Sequence, residues 1–297
     1  MWCIVGTLPD AAAPLLTAGL DAPSAVRDGF LILPDGFRTP VQRGTPALAA
    51  TALLACAALN FPPPRLLLAG DTGSGAGSRA VYAHLEDCLP ALAPRGLTFH
   101  YLFPDVDWHN RLLLAISALP VRPLLAADAG YMYVAKMSGY ADAYDLFTPD
   151  LGELAFLADE TAPHPFYTRG FLLAEEKDLP ALMRRAQAHG NCPPNLIVKG
   201  RTDHIVCNGM LAATVDTPSV EAMECIGGTG DLVTGLVTAF LCGGLPICRA
   251  SLAAARAARL LAQDCAPDPG FQIGQLLARL PEMLVREKDL LVEEGKL

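Results

Sequence analysis

Apolar positions along this chain come in blocks. Short, almost wholly apolar runs cover 65–70, 97–103, 123–128 and 195–200, and each ends at or close to a glycine or an aspartate. Between them lie longer stretches with helical spacing. These are a segment that opens at a glycine-rich turn and runs to 92, then 107–119, 151–159, and a last pair of helices after Cys225. The stretch 145–148 is a further short run that leads into Pro149. Runs this short and this uniformly apolar are those of strands buried on both faces. Strands alternating with helices predict an α/β fold with a mostly parallel central sheet, covered by helices on both faces.

The first 44 residues differ. Two short runs, 30–33 and 37–41, flank Pro34-Asp35-Gly36 and predict a hairpin. Thr45 is then placed to cap a helix with Pro46 in its first turn, running to Asn60 and stopped by Pro62-Pro63-Pro64. The Ala-rich segment 251–261 predicts a closely packed helix. With no internal repeat and no low-complexity linker, residues 1–297 read as one domain, 1–44 being its hairpin-containing segment.

Composition narrows the classes. Of 297 residues, 52% are hydrophobic and 18% charged, which excludes a disordered chain. A net charge of −9 argues against nucleic acid or an anionic membrane as partner, although a local phosphate site can oppose the global sign. The start, Met1-Trp2-Cys3-Ile4-Val5-Gly6, lacks the basic segment of a signal peptide, and the longest apolar stretch, 232–247, is interrupted by Thr and Gly. Nine cysteines, an odd number without a CxxC pair, predict core thiols rather than a zinc site or a disulfide framework. The expectation is a soluble cytoplasmic protein acting on a small molecule. Edge strands and the N-terminal hairpin would allow a homo-oligomer.

The chemistry concentrates at Gly227-Gly228-Thr229-Gly230-Asp231-Leu232-Val233-Thr234-Gly235. Glycines crowd just before an apolar helix. The first helical turn leaves its N–H donors without internal partners, and the helix dipole adds positive potential, so the turn suits an anion such as phosphate. Asp231 at that turn can be a helix cap. It can also be a base that takes a proton from a hydroxyl beside a transferring phosphoryl group.

This segment resembles the GxGD signature shared by ribokinase-like kinases and NAD(P)H-hydrate dehydratases. Two more stretches resemble that superfamily in order and spacing. Thr148-Pro149-Asp150-Leu151-Gly152-Glu153 is similar to its TPNxxE stretch, with Asp150 in place of the Asn, and Ile197-Val198-Lys199-Gly200 is similar to its VxKG strand end. The resemblance spans roughly 66–261 and implies a ribokinase-like three-layer sandwich. It implies Asp231 as catalytic base, the amides of Gly228, Thr229 and Gly230 as the anion hole, and Lys199 near the nucleotide. Glu153, with Asp150, would place Mg²⁺, a hard cation that takes oxygen ligands. The implied cofactors are ATP or ADP and Mg²⁺.

Other strand ends supply substrate-binding candidates, because ligands in open α/β sheets bind at the carboxyl ends of the strands. Asp71, Gly73 and Gly75 lie in a Gly-rich loop whose spacing is not that of a dinucleotide fingerprint. In the dehydratases a similar loop lies near the substrate. Asp105, Asp107, His109 and Asn110 follow the next run, and Asp128 ends the one after it. The leading expectation is ATP-dependent phosphorylation of a hydroxyl on a small metabolite, as in sugar kinases. The alternative is an NAD(P)H-hydrate dehydratase, although Pro218-Ser219-Val220-Glu221-Ala222-Met223-Glu224 stands where that family has an NPG-type stretch. A non-catalytic nucleotide-binding regulator comes third, since Asp231 and Glu153 are both present. Fold alone does not name the acceptor.

Overall fold

The computed structural model describes residues 1–15, 24–168 and 174–293. In chain order its strands are β1 (Trp2–Leu8), β2 (Ala25–Arg27), β3 (Phe30–Ile32), β4 (Arg38–Pro40), β5 (Arg65–Gly70), β6 (Gly96–His100), β7 (Leu124–Asp128), β8 (Leu146–Phe147), β9 (Asn195–Val198), β10 (Asp203–Cys207) and β11 (Met210–Val215). The helices are α1 (Thr45–Leu59), α2 (Ala76–Leu92), α3 (Val106–Ser117), α4 (Gly130–Met137), α5 (Leu151–Leu157), α6 (Leu179–Ala188), α7 (Thr229–Cys242), α8 (Ile247–Cys265) and α9 (Ile273–Arg286).

Eight strands form one sheet in the order β11-β10-β9-β8-β7-β6-β1-β5. The pairings from β5 to β9 are parallel, while β10 and β11 run antiparallel at one edge. Alternation along β1 shows the three layers. Ile4 and Leu8 face a core shared with α1, α7, α8 and α9, whereas Cys3 and Val5 face one shared with α2 to α6. Helix α1 is buried at 12 of its 15 positions, because the sheet, α7 and α9 enclose it. Strands β2, β3 and β4 make a separate small antiparallel sheet, whose β3–β4 hairpin is the expected one. Among the described residues, no helix is long and apolar enough to cross a membrane.

Three expectations are corrected. The cap of α1 is Gly44, in a positive-φ conformation, and Thr45 is the first helical residue, its hydroxyl turned to His100 instead. The strand expected over 97–103 stops at His100, because Tyr101 turns into the left-handed region (φ 48°). Among the cysteines, Cys207 and Cys248 are joined by a disulfide, with their Cα atoms 5.8 Å apart. The pair tethers β10 to the first turn of α8. It left no signal in cysteine spacing, because the two positions are 41 residues apart and meet only through tertiary packing.

Candidate active site

The carboxyl ends of β6, β7, β8 and β9 and the start of α7 open into one cavity of about 760 Å³. Its walls include Tyr101, Asp128, Asp150, Glu153, Lys199, Thr229, Gly230 and Asp231. Helix α7 begins there with no side chain capping it, so its first-turn N–H groups are open to a ligand. Gly228 makes the turn with φ 98°, and a Cβ there would sit 3.2 Å from the Gln42 carbonyl oxygen and 3.3 Å from Arg43 Cα. A side chain at 228 is thus opposed both by backbone conformation and by space. A Cβ at Gly230 would sit 3.3 Å from Lys199 Nζ, which places that cation directly beside the turn.

Asp231, in the first turn of α7, is nearly buried. Its Oδ2 accepts the Gly44 N–H at 2.6 Å, and its Oδ1 lies 3.0 Å from His100 Nε2. Burial alone would raise its pKa. Contact with His100, the Gly44 amide and the Lys199 charge outweigh burial and hold the carboxyl below its usual range. Asp231 is therefore ionised at neutral pH while facing the cavity.

Asp128 closes the floor. Its carboxylate takes Lys199 Nζ at 2.9 and 3.1 Å, the Thr234 hydroxyl at 2.6 Å and the Ala129 amide at 2.8 Å. Burial would depress the Lys199 pKa, but the carboxylates of Asp128 and Glu153 reverse the sign and keep it charged. Lys199 reaches this place because the Lys199 amide donates to the Pro149 carbonyl (2.8 Å), which carries the β8–β9 pairing past the strand ends.

Asp150 and Glu153 form a reciprocal cap at the start of α5. The Glu153 amide donates to Asp150 Oδ1 at 2.7 Å, and Glu153 Oε2 accepts the Asp150 amide at 2.8 Å. Tyr133 donates its hydroxyl to Glu153 Oε1 at 3.1 Å. Glu153 is half-buried and lines the cavity. Burial pushes its carboxyl up to about 8, against the opposing pull of Lys199 and with Asp128 and Asp150 adding to the rise. Asp150 and Glu153 both line the cavity and offer oxygen donors of the kind Mg²⁺ takes, but binding it requires Glu153 to lose its proton and the cap contacts of the two carboxyls to open.

The structure does not gather every candidate. Asp71, Gly73, Gly75, Asp105, Asp107, His109 and Asn110 are absent from the cavity wall. The Asp71 carboxylate is occupied within its own loop by the amides of Gly73, Gly75 and Ser78 and by the Ser78 hydroxyl. Asp105 caps α3 by accepting the Trp108 amide, and Asp107 is exposed in the same turn. His109 is fully buried, with Nε2 2.8 Å from the Tyr144 hydroxyl and Nδ1 3.0 Å from Ser138 Oγ and 3.3 Å from Asn110 Oδ1. Burial pushes its pKa down to about 4, so it is a neutral core histidine. These residues follow β5 and β6 at the sheet end, but they serve the 71–78 loop, the start of α3 and, for His109, the core.

Sequence reasoning missed His100, Tyr101, Gly44 and Thr234. His100 lies inside an apolar run, 97–103, that reads as continuous strand. Its one signal is a single imidazole in an otherwise apolar segment. Tyr101 is 51% exposed at the cavity mouth, in a backbone conformation that a bulky residue seldom adopts.

Comparison with known proteins fits this geometry. The uncharacterized protein MJ1337 of Methanocaldococcus jannaschii is 33% identical over 221 residues, covering 74% of this chain and 90% of that protein. This chain belongs to the same family. The Pyrobaculum aerophilum bifunctional NAD(P)H-hydrate repair enzyme Nnr is 32% identical over 143 residues, 48% of this chain but only 26% of that enzyme. Among solved structures, the pyridoxal kinase of Entamoeba histolytica superposes with a TM-score of 0.54 at 13% identity, over 99% of this chain and 95% of that one. The Staphylococcus aureus pyridoxal kinase, in complex with AMP-PCP and pyridoxal, gives 0.51 at 12% identity over 88% of each chain. The fold is ribokinase-like. No family model matches the sequence. In this ribokinase-like frame, the uncapped start of α7 and Asp231 lie at the carboxyl end of the sheet, where such folds bind ligands.

Proposed function

We propose that this chain transfers the terminal phosphoryl group of ATP to a hydroxyl of a small metabolite. One observation carries the reading: an ionised carboxylate, Asp231, and an uncapped helix start open into the same cavity. The amides of Gly228, Thr229 and Gly230 would receive the phosphate oxygens and meet the charge that develops on them. Lys199, beside Gly230, would offset that charge further. Asp231 takes the proton of the acceptor hydroxyl as its oxygen bonds to phosphorus, and the bond from phosphorus to the ADP oxygen breaks. Asp150 and Glu153 would hold Mg²⁺, which supplies charge neutralisation on the phosphates when bound.

A second reading, ATP- or ADP-dependent dehydration of NAD(P)H hydrate, is favoured by the sequence match to the Pyrobaculum repair enzyme. One experiment separates the two. The purified protein is incubated with Mg²⁺, ATP and a panel of hydroxyl-bearing metabolites under ³¹P NMR, with hydrated NADH run in parallel. A new phosphomonoester supports the kinase. Nucleotide-dependent recovery of NADH with no phosphomonoester replaces it by the dehydratase, and neither signal removes both.

A further inference from the structure

His100 has no assigned role, yet it sits behind the base of the proposed reaction. It is completely buried at the end of β6. On one side its Nδ1 meets the Thr45 hydroxyl at 3.0 Å. On the other, its Nε2 lies 3.0 Å from Asp231 Oδ1 and 3.9 Å from Asp128 Oδ2. Nε2 has no well-aligned hydrogen-bond acceptor, although it touches the Asp231 carboxylate.

The sequence makes room for this arrangement in β1. A Cβ at Gly6 would lie 2.4 Å from the His100 carbonyl oxygen and 3.0 Å from Thr45 Cγ2. The glycine lets α1 and β6 close on each other and bring Thr45 within reach of the imidazole. Tyr101 covers the ring edge-on, with centroids 4.3 Å apart. The charged and titratable groups facing the imidazole are then Asp231 from α7, Asp128 from β7 and the Tyr101 phenol. Lys199 is already engaged by Asp128.

We propose that His100 is a positioning residue for Asp231: it carries a proton on Nε2 and uses it to hold the Asp231 carboxylate ionised and oriented toward the acceptor hydroxyl. This deepens the kinase reading and rests on it, because Asp231 is the base there. A bare Nε2 lone pair facing two carboxylate oxygens in a water-poor site would be repelled by both, whereas an N–H there is attracted to both. With Nε2 protonated, Nδ1 of a neutral ring accepts from the Thr45 hydroxyl, so both nitrogens are used. His100 and Gly44 then grip the two oxygens of Asp231 from two sides, one through each oxygen. The base can rotate out of the His100 contact as it takes the substrate proton, and return when it loses it. The metal-ion alternative for His100, Asp128 and Asp231 is disfavoured, since the Lys199 ammonium and the Thr234 hydroxyl already occupy Asp128.

The test reads both partners directly in the full chain. ¹⁵N NMR of histidine-labelled protein reports which His100 nitrogen is protonated, with assignment by His100→Gln. ¹³C NMR of carboxyl-labelled aspartate follows Asp231, assigned by its loss in Asp231→Asn. Expected are a protonated Nε2 at neutral pH and an Asp231 titration that moves up by about one pH unit or more in His100→Leu. In His100→Gln, whose amide can still donate, Asp231 should titrate between the two. A structural role alone would not produce this graded order. A bare Nε2 in the unmutated chain overturns the proposal, as does an Asp231 titration unmoved in folded His100→Leu. If His100→Leu does not fold, the ¹⁵N spectrum of the unmutated chain decides: a protonated Nε2 supports the proposal and a bare one overturns it. None of these readouts needs turnover. A coupled pair in a protein that transfers no phosphate would leave His100 in place and remove the kinase reading. Phosphoryl transfer with an uncoupled pair would do the reverse.

Discussion

Two buried histidines, nine residues apart in sequence, have opposite surroundings. His100 faces two carboxylates at the cavity floor, while His109 is packed among Tyr131, Tyr144 and Ser138. For His109 the consequence is a stability term. Its folded pKa is pushed down to about 4 by burial, against 6.5 for the free side chain. Between these values the unfolded chain binds the proton and the folded chain does not, so stability rises with pH there. The contribution is complete above pH 6.5 and is lost as pH falls toward 4. At full size it is on the order of 3 kcal/mol. Denaturant unfolding of wild type and His109→Gln across that window checks it. The wild type should lose stability on acidification more steeply than the variant, and parallel curves would refute the assignment. The sequence marked His109 as a site candidate and passed over His100, because a strand-end loop is the usual place for function. Which way a ring points depends on where the strand stops, and that was decided by the turn at Tyr101.

At the scale of elements, the helix that carries the site is fixed by how closely it can approach α1. The GxGD resemblance included Gly235 only as part of a pattern. In the structure, a Cβ at 235 would lie 2.6 Å from the Leu48 carbonyl oxygen and 2.6 Å from Thr51 Cβ. That glycine is what lets α7 seat against α1, and so holds Asp231 next to Gly44. Gly235→Ala should cost about 1–3 kcal/mol through overpacking, although alanine is the better helix former. Thermal unfolding reads this directly, and a raised midpoint would mean the contact relaxes freely. The elements legible in sequence were those with a clean apolar block bounded by turn residues, such as β5, β7, α2 and α3. The β10–β11 hairpin was missed although Asn208-Gly209 marks its turn, and the signals of β1 and of β11 itself were weaker. Strand β1 is a run of seven buried residues at the very start, with no turn before it. Strand β11 is mostly exposed, so its side chains carry little burial signal.

At the scale of the whole molecule, the cavity draws on distant parts of the chain: Tyr101, Asp128, Asp150, Lys199 and the loop that leads into α7. Much of the candidate site was legible, because its chemistry sits in short local motifs at 148–153, 197–200 and 228–231. The parts contributed by tertiary packing, Gly44 and His100, were not. A ligand that binds across these segments should stabilise the fold as a unit. Mg²⁺ with ATP at about 100 times its Kd would add roughly 2.7 kcal/mol. The midpoint of thermal unfolding should therefore rise with nucleotide in the wild type and stay nearly flat in Gly228→Val, where a β-branched side chain blocks the turn. Equal rises in both would place the nucleotide elsewhere.

The proposed reaction depends on Asp231. The most direct measurement is the single-turnover rate of phosphoryl transfer by wild type and Asp231→Asn on the acceptor found by ³¹P NMR, with ATP affinity of both measured by calorimetry. Asparagine keeps the shape but cannot take the hydroxyl proton. Loss of a general base predicts a rate lower by about 10² to 10⁴-fold with nucleotide affinity little changed. Near-wild-type transfer by Asp231→Asn would reduce this carboxylate to part of the helix start and contradict the mechanism.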